Sequence, residues 1–431
     1  MVVVASTPPF SPHPARSEIL GEAHARPFFR LTAPARVLAF AFLRANASGG
    51  ASPAEIRERL DAFARNHGVM PAPEGTKHHR FVLPQGIFRW EEHTEFTTYV
   101  FMLSGEGTGF AHSGGELLGA LPLPEQPGPH LVSIDMRIVP FAEREDARLC
   151  LQESIASHSC IEGDGAEVSS DFMPDEAGMV RFVIANRSLA PRRLGALARD
   201  VMEIEVYRTL ALMGLPAARR VGPMIREIEG GLASLTADLV RQQSLDQGDE
   251  LLARLTDMTA RVEAEIAQTK FRFAATRAYG AILADRLVSF GTPASPEAPT
   301  ITAFLERRNA PALRTCETMD SGLVDLAARL TRASGLLRTR IDVERAKQNN
   351  TLLATMNERT DLQLRLQQTV EGLSVAAISY YVIGILAYLL KGVSSTHLIP
   401  FSLDLVVAFL VPVVVLAMAF LVRRIRAKHG A

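Results

Sequence analysis

Two long uncharged apolar runs near the C-terminus limit what this chain can fold into more than any other feature. Gly372 to Leu390 carries no charged residue, and neither does Leu405 to Val422. At helical rise the first run is about 28 Å long, close to the ~30 Å hydrocarbon core of a bilayer. A buried helical hairpin in a soluble core is the alternative, but two adjacent runs of spanning length favour the membrane. Arg423, Arg424, Arg426 and Lys428 follow the second run directly. The positive-inside rule keeps that end cytoplasmic, and two spans return the N-terminal part to the same side. The expectation is a two-span inner-membrane protein, anchored in the lipid bilayer by a C-terminal hairpin, with both termini cytoplasmic.

Charge and cysteine usage narrow the rest. Formal net charge is −1; the part from Gly372 onward carries +4, which leaves −5 for the first 371 residues. A mildly acidic body has no basic stripe with which to neutralise phosphates, so nucleic acid is not an expected partner. The three cysteines, Cys150, Cys160 and Cys316, make no disulfide framework and suit a reducing compartment. "MVVVASTPPF" lacks a charged segment followed by an apolar core, so no secretory signal is expected.

The fold class expected is α+β. Residues 1–190 read as a mixed α/β domain. "RVLAFAFL" (Arg36–Leu43) is a buried-strand candidate, and "RFVL", "GIFRWEEHTEFTTYVFML", "HLVSIDMRIV" and "MVRFVIAN" are β-rich runs bounded by Gly and Pro. "SPAE" (Ser52–Glu55) is a capping box with Pro53 at the first helical position, opening a helix to about Asn66. Residues 191–371 read as a helical bundle and a long stalk, with helices over Pro191–Met213, Pro216–Gln243 and Asp249–Phe290. "GTPASPEAPT" (Gly291–Thr300) reads as a linker. Leu323, Leu326, Leu330, Ala333 and Leu337 recur at alternating steps of three and four, a helix-packing seam. A helix running from Pro311 to Leu390 would extend roughly 120 Å into the first span. Such a lone apolar seam calls for self-association through the stalk. Spans over 372–391 and 405–422, a loop over 392–404 and a basic tail over 423–431 complete the plan.

Candidate chemistry is sparse. If Arg89 to Glu95 formed one strand, Arg89, Glu91, His93 and Glu95 would share a face. Glu91 and His93 could then ligate a metal, with His79 or His24 brought in by the fold; a polar sheet face with an ion pair is the simpler reading. "LSGEGTGF" (Leu103–Phe110) has the glycines of a phosphate loop but no helix opening after it and no Gly-Lys-Ser/Thr, so it reads as a hairpin connection. "AHARP" (Ala23–Pro27) reads as a surface turn rather than an anion clamp, and Glu371 as a headgroup-level residue. Gly-x-Ser-x-Gly, His-Glu-x-x-His and Cys-x-x-Cys are absent, so no catalytic residue and no cofactor is expected.

"HPARSEILGEAHARPF" (His13–Phe28), "HHRF" (His78–Phe81), "RWEEHTEFTTY" (Arg89–Tyr99) and "LQLRLQQTVEGLSVAAISYYVIG" (Leu362–Gly384) together resemble a bacterial family of uncharacterised membrane-anchored proteins, a domain-of-unknown-function family. The resemblance runs over nearly the whole chain and brings no activity with it. In architecture alone the plan also resembles the CorA-type divalent-cation channels. That resemblance would put Lys391, Thr396, His397 and Asp404 at a pore mouth. The Gly-Met-Asn motif of that family is missing, however, and a ring of Lys391 side chains would repel Mg²⁺. Three readings follow: an oligomeric structural or interaction protein on a membrane anchor, a CorA-like transporter without the usual filter, and a membrane-tethered metal-dependent enzyme using the His/Glu-rich strand. The first is favoured.

Overall fold

Period-two alternation builds the N-terminal part of the chain. The computed structural model describes residues 11, 13–16, 30–44, 51–104, 113–241, 245–296, 298–394 and 403–429. Among these, nine strands form one sheet: β1 (Ala35–Leu43), β2 (His78–Leu83), β3 (Gly86–Glu92), β4 (Phe96–Ser104), β5 (His130–Pro140), β6 (Ser157–Ile161), β7 (Ala166–Pro174), β8 (Val180–Asn186) and the short β9 (Thr292–Pro293). Their order is β2-β3-β4-β1-β5-β8-β7-β6-β9. β5 and β8 are parallel and every other pair is antiparallel. Outward from the central pair, β1-β4-β3-β2 and β5-β8-β7-β6 repeat one strand order, although β1 and β4 are antiparallel where β5 and β8 are parallel. The halves differ in what joins their first two strands. In the first half it is α1 (Pro53–His67). In the second it is α3 (Arg144–Arg148) with single 3-10 turns on either side; α2 (Gly114–Ala120) lies between β4 and β5.

On one face of the sheet Val37, Ala39, Val100, Ile134, Met136, Phe182 and Ile184 form a continuous apolar layer. Helices α4 (Pro191–Leu212), α6 (Leu245–Leu287) and the start of α7 (Ile301–Ser394) cover it with Leu197, Val201, Leu210, Leu283 and Leu305. On the other face of the first half, Leu38, Phe40, Phe88, Trp90 and Phe101 meet Ile56, Leu60 and Phe63 of α1. α1 starts as the sequence predicts. Ser52 Oγ accepts from the Glu55 N–H at 3.3 Å, Glu55 Oε2 accepts from the Ser52 N–H at 2.6 Å, and Gly68 ends the helix in the left-handed region at φ 65°. "EGDGAE" is the turn expected of it, between Ile161 and Ala166.

Three expectations need correction. The run from Arg89 to Glu95 is not one strand, because β3 ends at Glu92 and His93, Thr94 and Glu95 turn into β4. The long helix starts at Ile301, earlier than Pro311, which lies inside it. Thr300 caps its start: its Oγ1 accepts from the Ala303 N–H at 3.0 Å and its carbonyl from the Phe304 N–H at 2.9 Å. Finally, the Leu323–Leu337 seam is not left for other copies of the chain. Leu323, Leu326, Leu330 and Leu337 are all buried within the single chain. α5 (Gly214–Arg241) supplies part of the match: a side chain at Gly322 would stand 3.4 Å from Ile225, and Arg329 bonds Glu229 at 2.8 Å.

The chain divides into two compact units, Met1–Asp238 with Arg254–Arg332, and Leu239–Ala253 with Ala333–Ala431. Residue 190 therefore marks a change of secondary structure, while the core of the first unit draws on helices well beyond it. In the second unit Leu251, Leu337 and Ile341 are buried, and Arg345 approaches Asp249 at 3.3 Å. Past Ile341 the texture changes: residues 345–370 of α7 are exposed throughout.

Candidate functional site

The β3–β4 hairpin collects the acidic and imidazole groups singled out in the sequence. His93 closes the turn, its N–H donating to the Phe96 carbonyl at 2.8 Å and its ring stacking on Phe96 with centroids 4.1 Å apart. Its Nε2 stands 3.8 Å from Glu91. Each nearby carboxylate already has a guanidinium partner: Arg89 pairs with Glu91, Arg44 with Glu92 at 2.8 Å, and Arg272 of α6 with Glu95. The Tyr279 hydroxyl also donates to Glu95, at 2.9 Å; burial and then Glu95 itself push the Tyr279 pKa upward. A cavity of about 220 Å³ beside the turn is lined by Arg44, Glu92, His93 and Tyr279. A divalent ion there would have to displace three arginine–carboxylate pairs to gain oxygen ligands.

His79 is elsewhere. It stands opposite Trp90 in the β2–β3 register, whereas Glu91 stands opposite His78, so successive residues place His79 on the other face from Glu91. Its Nε2 lies 3.2 Å from the Met70 carbonyl, its ring meets Phe81 edge-on, and burial lowers its pKa. Among the described residues, no group of three or more His, Cys, Asp or Glu is arranged to hold a metal ion. His24, "AHARP" and most of "LSGEGTGF" lie outside the described residues.

The apolar runs form the second candidate region. The first lies in α7 and the second in α8 (Leu403–His429); both helices are long and apolar enough to cross a membrane. Only 6% of the apolar window in each is buried. Tyr380, Tyr381, Ile385 and Tyr388 of α7 are exposed, as are Phe409, Val413, Leu416 and Phe420 of α8. A soluble core helix would bury these side chains, since continuous exposed apolar surface on this scale marks contact with lipid or protein. Of the pore-mouth candidates, Lys391 lies in the last turn of α7 and Asp404 in the first turn of α8, while Thr396 and His397 lie outside the described residues.

A family model described as "Protein of unknown function (DUF3422)" matches residues 11–429. The chain belongs to that family. The match runs through the sheet, the bundle and both apolar helices, so these form one family unit. No curated protein and no solved structure matches the chain.

Sequence reasoning missed a second polar cluster, on the sheet itself. Arg36 Nε and Nη2 donate to Asp135 Oδ1 and Oδ2 at 2.8 and 2.7 Å, both side chains being buried. The available signal was the alternation in "SIDMRIV", which puts Asp135 and Arg137 between Ile134, Met136 and Ile138. A charge at every second place in a buried strand asks for partners on the opposite face from the core.

Proposed function

We propose that this family member is a membrane-anchored structural or interaction protein. Its α+β body is held at the cytoplasmic face of the inner membrane by the two-helix C-terminal hairpin. One observation supports the anchor above all: the apolar windows of α7 and α8 have the length of spans and leave their side chains unburied. The arginines at 423 and 424 stand at the end of the second window, where the positive-inside rule places the cytoplasmic side. Self-association belongs to residues 345–370, because the Leu323–Leu337 seam is filled within the chain. In that stretch Leu352, Met356, Leu366 and Val370 are exposed and two full turns or fewer separate most neighbours.

The test combines extraction with mass. The full chain should stay with membranes through alkaline carbonate washing and be released by detergent, and a reporter fused after Ala431 should be active on the cytoplasmic side. The detergent-solubilised particle should exceed one chain in mass, and Leu352→Asp with Met356→Asp should reduce it to one chain. Release by carbonate would sink the anchor. A pentamer that carries Mg²⁺ into liposomes would replace the anchor with a pore.

A further inference from the structure

On the second half of the sheet, the face away from the helical layer carries charge where the first half carries aromatic rings. Arg36 pairs in register with Arg137, and Asp135 with Arg181. Asp135, Arg137 and Arg181, together with Cys150, line a cleft of about 650 Å³.

Four of the acids around this cleft already accept hydrogen bonds from the chain. Asp135 gives both oxygens to the Arg36 fork. Asp175 accepts from the Ala177 and Met179 N–H groups, each at 2.9 Å. Glu116 accepts from the Ser113 N–H at 2.8 Å. Asp171 accepts from the N–H groups of Gln152 and Met173 at 2.9 and 3.0 Å and from Arg181 Nη2 at 3.1 Å. Arg181 is not satisfied by that pairing, because its Nε–H is buried and meets no acceptor. That donor is out of a ligand's reach, so recognition falls to the rest of the Arg181 guanidinium and to Arg137, both of which line the cleft.

We infer that this cleft binds a small organic anion through one carboxylate or phosphate group, with Arg137 and Arg181 as the recognition residues. Guanidinium forks present N–H donors in the geometry that oxyanions accept. The volume lies within the ~300–1,000 Å³ of ordinary small-molecule sites, well beyond what an inorganic ion fills, so the anionic group carries an organic body. Glu116, Asp175 and Glu176 line the same cleft and repel a polyanion such as a nucleoside triphosphate.

Cys150 supplies a local reporter, since its half-buried thiol lines the cleft while Cys160 does not. The full chain in detergent is treated with a maleimide in the presence of inorganic phosphate or acetate, with ionic strength held by chloride. Labelling of Cys150 and Cys160 is followed by peptide mass spectrometry. The expected result is saturable slowing at Cys150 but not at Cys160; the anion that acts at lower concentration identifies the class of headgroup. Arg181→Gln should raise the half-protecting concentration about tenfold, which is the loss of about 1.4 kcal/mol. Because Arg181 also pairs with Asp171, Arg137→Gln serves as a second variant and should show a comparable loss. Equal rates with and without both anions, or protection that survives unchanged in both variants, would overturn the assignment.

Discussion

In the half of the sheet built from β1 to β4, the face away from the helical layer carries Leu38, Phe40, Phe88, Trp90 and Phe101, and α1 packs over it. In the half built from β5 to β8 the equivalent face carries Asp135, Arg137, Arg181, Ser169 and Glu167, with a small apolar patch of Val139, Val183, Ala185 and Leu151. Strand order is the same, but burial is solved in two ways. An aromatic face cannot be left to water, so the connection after β1 must be a helix long enough to cover it. A face of charges can pair across its own strands, as Arg36 does with Asp135 and Arg181 with Asp171. The connection after β5 can then shrink to a five-residue helix and leave a cleft. One strand order can thus serve as a closed core or as an accessible floor, depending on which residues occupy alternate strand positions.

The largest expected effect comes from putting the second solution into the first half. Leu60→Asp would bury an unpaired carboxylate among aromatic rings and should cost several kcal/mol, read as a fall in the urea midpoint of the body. An unchanged midpoint would mean that α1 does not close that face. Next is the converse, breaking the pairing of the second half. Asp135→Asn leaves the Arg36 guanidinium buried without its counter-charge and should cost about 3–5 kcal/mol. Replacing both partners, Arg36→Met with Asp135→Leu, should recover most of that loss or exceed wild type by about 1–4 kcal/mol. If the double variant is as unstable as the single, the pair is not an independent unit.

A smaller effect isolates the covering helix. Ser52→Ala removes one arm of the α1 capping box and should cost about 1 kcal/mol, measured as a midpoint shift with unchanged slope. The mildest change concerns pH. Burial, and then the neighbouring Arg148, lower the His158 pKa from 6.5 to about 4, and its Nδ1 sits 2.8 Å from Ser169 Oγ. Below pH 6.5 the unfolded chain binds this proton and the folded chain does not. The stabilising contribution is therefore complete above pH 6.5 and is lost progressively as pH falls towards 4. His158→Gln should flatten stability against pH across that window; a profile identical to wild type would show that this histidine is not responsible.

Legibility followed the range of the interaction. The α1 capping box, the "EGDGAE" turn, the helical stretch after Pro191 and both apolar runs were readable because each is specified within a few adjacent residues or by a sustained period. The bend at His93 was missed because "RWEEHTEF" holds neither Gly nor Pro to announce a turn; the carbonyl of Phe96 and the guanidinium of Arg44, bound to the His93 carbonyl at 2.8 Å, hold it instead. The separation of His79 from Glu91 was hidden for a related reason. It depends on the β2–β3 register, and a shift of one residue would reverse it.

The sequence by itself determined the α+β class, the two apolar helices, the basic end that follows them and the seam at Leu323, Leu326 and Leu330. These follow from local composition and from periodicities of 2 and 3.6 residues, which survive without knowledge of any distant partner. Only the tertiary structure decided that the seam is filled within the chain, with α5 supplying part of the match. It alone decided that Arg36 meets Asp135 across 99 positions of sequence, and that Arg181 comes to the same face with one buried donor unmade. Pairing across such separations depends on strand order and register, which no local pattern encodes, because many partners of equal chemistry stand at comparable sequence distance.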